Sequence, residues 1–240
     1  MFKRTLNPSV YHGNGMKPPF FEGWYYKLVD KARKDSLAII PGVFLHENQD
    51  RAVAFIQVVD GGENRSYYIP YPIDSFKSDS KKFDIQVATS QFSAERIHLD
   101  INRNGVVLKG DLEFDYLNPW PVTFSSPGIM GWYAWVPYME CFHGIVSLDH
   151  VIRGSLELNG KKIDFSDGRG YTEKDWGRAF PEAWIWLQSN HFSEQGISFT
   201  GSIAIIPWIG KAFPGFIIGF LWEGTLYRFA TYTGARTLKL

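Results

Sequence analysis

Three stretches of the chain set carboxylates and histidine among aromatic side chains, the composition that acid–base chemistry in a dry site requires. The first is Phe20-Phe21-Glu22-Gly23-Trp24-Tyr25-Tyr26-Lys27. Side chains alternate along a strand, so Glu22, Trp24, Tyr26 and Leu28 fall on one face. Burying a carboxylate costs far more than burying a methylene, so on an interior face it is either paired or held protonated. Two readings stay open: a neutral acid ready to give up its proton, or an ion pair with an Arg or Lys of a neighbouring strand.

The second stretch is Tyr138-Met139-Glu140-Cys141-Phe142-His143-Gly144-Ile145-Val146-Ser147-Leu148-Asp149-His150. Regular alternation groups Glu140 with Phe142, Gly144 and His150, and His143 with Cys141 and Asp149. Both sets face one pocket only if the strand bulges, with Gly144 the natural place. One His–carboxylate set is therefore expected to be structural.

The third is Gly170-Tyr171-Thr172-Glu173-Lys174-Asp175-Trp176-Gly177-Arg178. Its glycines permit a tight turn, and by composition its charges read as a solvated turn. The flanking Tyr171 and Trp176 argue instead for a loop packed on something. The strand expected after it places Trp184, Trp186, Gln188 and Asn190 on one face, greasy first and polar after, as in a ligand pocket.

Other chemical templates are missing. There is no glycine-rich phosphate loop and no GxSxG elbow. HExxH is absent, and His143, His150 and His191 lack spacings diagnostic of a metal site. The expectation is no metal and no cofactor.

The elements that must position these residues are strands. No sustained 3.6-residue period occurs, whereas alternating β-branched and aromatic runs recur at 37–46, 52–60, 83–88, 96–102 and 106–114. Arg103-Asn104-Gly105 signals a tight turn. Asn118-Pro119-Trp120-Pro121 and Ser125-Ser126-Pro127-Gly128 interrupt the pattern as loop. Strands resume at 138–150, 154–158 and 162–165, the last two joined at Asn159-Gly160, then at 182–192, 197–206, 216–221 and 225–232. Short strands joined by frequent turns predict an all-β antiparallel barrel or sandwich. Thr237-Leu238-Lys239-Leu240 reads as the start of a further strand without a partner, so the last β unit is expected to be incomplete.

Bulk properties narrow the partners. Lys plus Arg and Asp plus Glu both total 25 in 240 residues, which argues against nucleic acid or an anionic membrane as the main partner. Aromatics make up 17% of the chain, enough to supply both a core and an apolar pocket. With Cys141 the single cysteine, no intrachain disulfide forms. The N-terminus lacks an apolar stretch of signal-peptide length. The greasy region 203–222 is cut by Pro207, Lys211 and Pro214. The expected location is cytoplasmic.

Phe21-Glu22-Gly23-Trp24-Tyr25-Tyr26-Lys27, Gly131-Trp132-Tyr133, Glu140-Cys141-Phe142-His143-Gly144 and Gly170-Tyr171-Thr172-Glu173-Lys174-Asp175-Trp176-Gly177 resemble, in order, the signature blocks of the tocopherol cyclase family. Phe180-Pro181-Glu182-Ala183-Trp184-Ile185-Trp186-Leu187-Gln188-Ser189-Asn190-His191-Phe192 extends the resemblance, which covers nearly the whole chain. It implies a lipocalin-like architecture of two β units, at residues 1–150 and 151–240. More distantly the chain resembles the carotenoid 1,2-hydratases, whose corresponding turn carries an Asp-His pair where Glu173 and Lys174 stand here.

Both families begin from a trisubstituted alkene and a proton; the cyclases then add a phenol hydroxyl and the hydratases add water. Such chemistry needs a carboxyl kept neutral by desolvation, and Glu22, Glu140 and Glu173 are the candidates. Asp175 belongs to the same charged set. Trp24, Trp176 or Trp186 would steady the cation, an effect of roughly 2 kcal/mol when desolvated. Lys174 or His143 would take the hydroxyl proton. Tyr26, Tyr171, Trp184, Gln188 and Asn190 complete the expected binding set. The expected partner is a hydrophobic, prenylated small molecule, met through at most transient membrane contact. A carrier that holds a prenylquinone without turnover would use the same pocket.

Overall fold

The computed structural model describes residues 2–137, 139–208 and 211–238. Tyr138, Lys239, Leu240 and, within the greasy region 203–222, Ile209 and Gly210 therefore lie outside the described residues. The strands are β1 (Phe20–Val29), β2 (Ser36–Leu45), β3 (Val53–Asp60), β4 (Arg65–Pro72), β5 (Phe76–Ser78), β6 (Asp84–Val87), β7 (Ser90–Ser93), β8 (Arg96–Arg103), β9 (Val106–Asp115), β10 (Cys141–Leu158), β11 (Lys161–Asp164), β12 (Gly168–Gly177), β13 (Trp184–Ser189), β14 (Ser198–Trp208), β15 (Lys211–Trp222) and β16 (Thr225–Ala230).

The first twelve form one antiparallel sheet in the order β4-β3-β2-β1-β12-β10-β9-β8-β7-β6-β5, with β11 on β10. Its alternating inward positions enclose a core containing Trp24, Tyr26, Leu28, Ile39, Ile56, Phe92, Leu112 and Phe165. Its outermost strands β4 and β5 do not pair with each other, so the lipocalin-like sheet curls without closing. The remaining four strands form a second sheet, β13-β14-β15-β16. It packs on the outer face of the first sheet through Trp120, Ile129, Ile145, Leu148, Tyr171 and Leu221.

The all-β expectation holds, and the turn chemistry behind it is visible. Asn104-Gly105 and Asn159-Gly160 have positive φ at both residues (52° and 75°, 51° and 85°), the geometry of two-residue hairpins. Three expectations need correction. The segment 170–178 is not a turn: it lies within and just beyond β12, which pairs with β1 on one side and β10 on the other. Its two faces are covered by the core of the curled sheet and by the second sheet, which is why charged residues there must be paired. The separate strands expected at 138–150 and 154–158 are one continuous strand, β10. Its irregularities lie between Ile145 and Ser147 and between Ser147 and His150, after Gly144 rather than at it. Strand β4 was masked in the sequence by Pro70 and Pro72, which its edge position tolerates.

Candidate active site

Because β12 alternates, its consecutive charged residues leave on opposite faces. Lys174 points into the curled sheet, where it is fully buried. Its Nζ pairs with the Glu22 carboxylate and lies 3.0 Å from His12 Nδ1. The ammonium sits between the rings of Trp24 and Trp176, at 4.8 and 4.6 Å from their centroids. Burial pulls the Lys174 pKa down to about 8, against the opposing pull of Glu22. Backbone N–H of His12 donates to Glu22 Oε2 at 2.8 Å, and the His12 ring stacks on Trp176 at 4.3 Å. Glu22 thus takes the second of its two open readings, the ion pair with a lysine of a neighbouring strand. His12 came from an irregular N-terminal segment that no periodicity marks.

Glu173 and Asp175 leave β12 on the other face, where His143 of β10 stands between them. His143 Nδ1 lies 2.7 Å from Asp175 Oδ1, and its Nε2 lies 3.3 Å from Glu173 Oε2. The Tyr171 hydroxyl donates to Glu173 Oε2 and lies 3.1 Å from Thr200 Oγ1 of β14. Trp186 Nε1–H, from β13, donates to the same carboxylate oxygen at 3.1 Å. Burial and the nearby Asp175 charge raise the Glu173 pKa above the carboxylate range, although His143 and the two donors oppose them. For His143, burial pulls downward, but the charges of Asp175 and Glu173 prevail and lift it to about 9.

This cluster forms one wall of a cavity of about 240 Å³ between the two sheets. The other walls are largely apolar and include Phe142, Phe180, Trp184, Trp186, Phe216 and Ile217. Tyr25 also lines it, since it lies on the opposite face from Trp24, a placement that alternation makes legible.

The expected site residues therefore divide. Glu173, His143, Asp175, Trp184 and Trp186 meet at the cavity, with Tyr171 behind them. Glu22, Trp24, Tyr26, Lys174 and Trp176 lie on the far face of the same sheet. Of the aromatics expected beside a cation, Trp186 lines the cavity, and of the expected bases, His143 does. Glu140 is exposed just before β10 and joins neither group. Gln188 accepts from Lys27 Nζ at 2.7 Å. Asn190 lies past the end of β13 and donates to Asp149 Oδ1 at 3.0 Å, beside the Arg169–Asp149 ion pair. His150 is buried against Phe114 with no hydrogen-bond partner on either ring nitrogen, so of the two histidines in this stretch it is His143 that pairs with carboxylates.

Among the described residues, His143, Glu173 and Asp175 also form the cluster with the composition of a metal site, their donor atoms lying within 4.8 Å. Here Asp175 is directed to the imidazole, and Glu173 Oε2 takes the donors of Tyr171 and Trp186. That hydrogen bonding suits a carboxyl that exchanges a proton better than a bare three-ligand cradle. No helix among the described residues is long and apolar enough to cross a membrane.

Residues 111–239 match the family model described as tocopherol cyclase-like. The chain is 31% identical over 118 residues to the probable chloroplastic tocopherol cyclase of Oryza sativa subsp. japonica, covering 47% of this chain and 25% of that protein. The match thus spans about a quarter of that relative's length. Among solved structures, kievitone hydratase from Nectria haematococca is similar at TM-score 0.51 and 12% identity, over 88% of this chain and 64% of that one. CghA, crystallised with Sch210972, is similar at TM-score 0.56 and 8% identity, over 87% and 59%. At such identities these two speak to the fold alone. The family match, which takes in β10, β12 and the whole second sheet, shows that the chain belongs to the tocopherol cyclase-like family.

Proposed function

We propose that this protein is a proton-initiated cyclase or hydratase that acts on a prenylated small molecule held between its two sheets. One observation carries the reading: a buried carboxyl, Glu173, is kept hungry for its proton at the wall of an aromatic, largely apolar cavity. Protonating an alkene calls for such an acid, and for walls that keep water from the cation that follows. Trp184 and Trp186 line the cavity and would steady that cation. Burial of the prenyl chain, at about 0.8 kcal/mol per methylene, supplies binding energy that does not depend on the head group. The curated relatives of the family are tocopherol cyclases, which favours ring closure by a phenol hydroxyl.

The test is incubation of the purified protein with a prenylated hydroquinone, followed by mass spectrometry of the extract, for the wild type and for Glu173→Gln. A cyclised or hydrated product from the wild type alone, with ligand still bound by the variant, is the expected result. A ligand bound by both and returned unchanged overturns the enzyme reading and makes the protein a carrier.

A further inference from the structure

Cyclisation and hydration are both proton-neutral: the acid gives one proton to the alkene, and the adding hydroxyl must release one. Building on the proposed function, we propose that His143 recovers this proton at Nε2 and hands it back to Glu173, while Asp175 acts as the positioning residue that keeps Nδ1–H occupied.

The geometry supports each part. The half-buried Asp175 carboxylate lies 2.7 Å from Nδ1, and a carboxylate can only accept there, so it fixes the hydrogen on that nitrogen. The opposite nitrogen, Nε2, is buried and has no hydrogen-bond partner, yet it lies 3.3 Å from Glu173 Oε2. With the shared proton on Glu173, a nitrogen so placed is free to accept a proton and close enough to deliver it after a small movement. Lys174, next in sequence, is unavailable for this task because its ammonium is held by Glu22 in the core.

The steps balance. Glu173 protonates one alkene carbon, so a C–H bond forms as the π bond breaks. The oxygen of the phenol or water adds to the cationic carbon, forming C–O. Its O–H bond then breaks, the proton passes to His143 Nε2, and the imidazolium returns it to the Glu173 carboxylate. The pair gives one proton to the alkene and recovers one from the adding hydroxyl, so each turnover leaves Glu173 and His143 as they began and needs no proton from solvent.

The titratable groups facing His143 are Asp175, Glu173 and Tyr171 of β12, Cys141 of β10 and Tyr25 of β1. Before β10, Tyr133 also lines the cavity, while among the described residues the second sheet contributes neutral side chains such as Trp184, Trp186 and Ser202. Asp175 and Glu173 thus set the imidazole's proton affinity.

The experiment is ¹⁵N NMR of histidine-labelled wild type and Asp175→Asn, with His143→Gln to assign the signal. The wild type should show His143 protonated at Nδ1 and titrating near 9; Asp175→Asn should lower that titration by about one pH unit or more. With a prenylated hydroquinone, Asp175→Asn should lower kcat by about 10²-fold at unchanged KM and move the alkaline limb to lower pH, with Asp175→Glu restoring most of the rate. A wild-type Nδ1 without its proton, or a titration indifferent to Asp175→Asn, overturns the inference. If the wild type converts no prenylated hydroquinone, the proposed function fails, and the NMR result still decides the proton arrangement.

Discussion

Glu173 and Lys174 are adjacent in sequence, yet their side chains lie on opposite faces of one sheet, Glu173 at the inter-sheet cavity and Lys174 against Glu22 in the core. The two glutamates therefore differ in kind. One lines the cavity with its pKa raised by burial, and the other is neutralised by an ammonium that two indoles enclose.

That difference separates stability from turnover. Lys174→Met leaves the buried Glu22 carboxylate unpaired and should cost about 3–5 kcal/mol in a denaturant melt. Pairing it with Glu22→Leu should recover much of the loss, because an apolar pair of similar volume avoids the buried charge. Glu173→Gln should leave the melt nearly unchanged.

Glu173→Gln is expected to lower kcat by about 10²–10⁴-fold, the usual share of a positioned acid, while ligand affinity stays near the wild-type value. Steady-state kinetics alongside a direct binding titration checks both.

Tyr171→Phe removes the hydroxyl that donates to Glu173 and meets Thr200. That hydrogen bond favours the charged carboxylate, so the Glu173 titration should move to higher pH when followed by ¹³C NMR. The melt should fall by about 1 kcal/mol for the lost bond.

His150 gives a pH dependence of definite sign. Burial depresses its pKa to about 3, so between 6.5 and 3 the unfolded chain binds a proton that the folded one refuses. Stability is present above this window and is lost as pH falls through it, by about 1.4 kcal/mol per pH unit from this residue. His150→Phe should show a shallower acid limb than the wild type in melts taken across the window.

Gly170 tests the same packing from the opposite strand. A Cβ there would stand 2.2 Å from His150 Nε2, and the ring is held against Phe114 at 4.5 Å between centroids. Gly170→Ala should lower the melting midpoint clearly, and His150→Ala in the same chain should relieve part of that loss.

Much of this arrangement can be read along the chain, because period-two alternation is a local property. It places Glu22 with Trp24 and Tyr26, and it separates Glu173 and Asp175 from Lys174. What it cannot supply is which strands lie side by side. Glycines at 170 and 177 with three charges between them resemble a solvated turn until β1 and β10 are seen to flank the segment. Asn190 reads as the polar end of the Trp184–Trp186 face, but the strand stops at Ser189 and the amide turns to Asp149. His12 and Thr200 reach their partners through long-range packing, for which spacing carries no signal.

The two hydrogen-bond donors on Glu173 have different origins. Tyr171 belongs to the acid's own strand, whereas Trp186 arrives from the sheet across the cavity. The strength of the acid is consequently tied to how the halves of the molecule are seated. Drawing them apart would strip one donor and admit water in the same movement, so in the proposed reaction Glu173 would have the right potency only in the assembled form, and the seam between the sheets would act as a gauge of readiness as well as a wall.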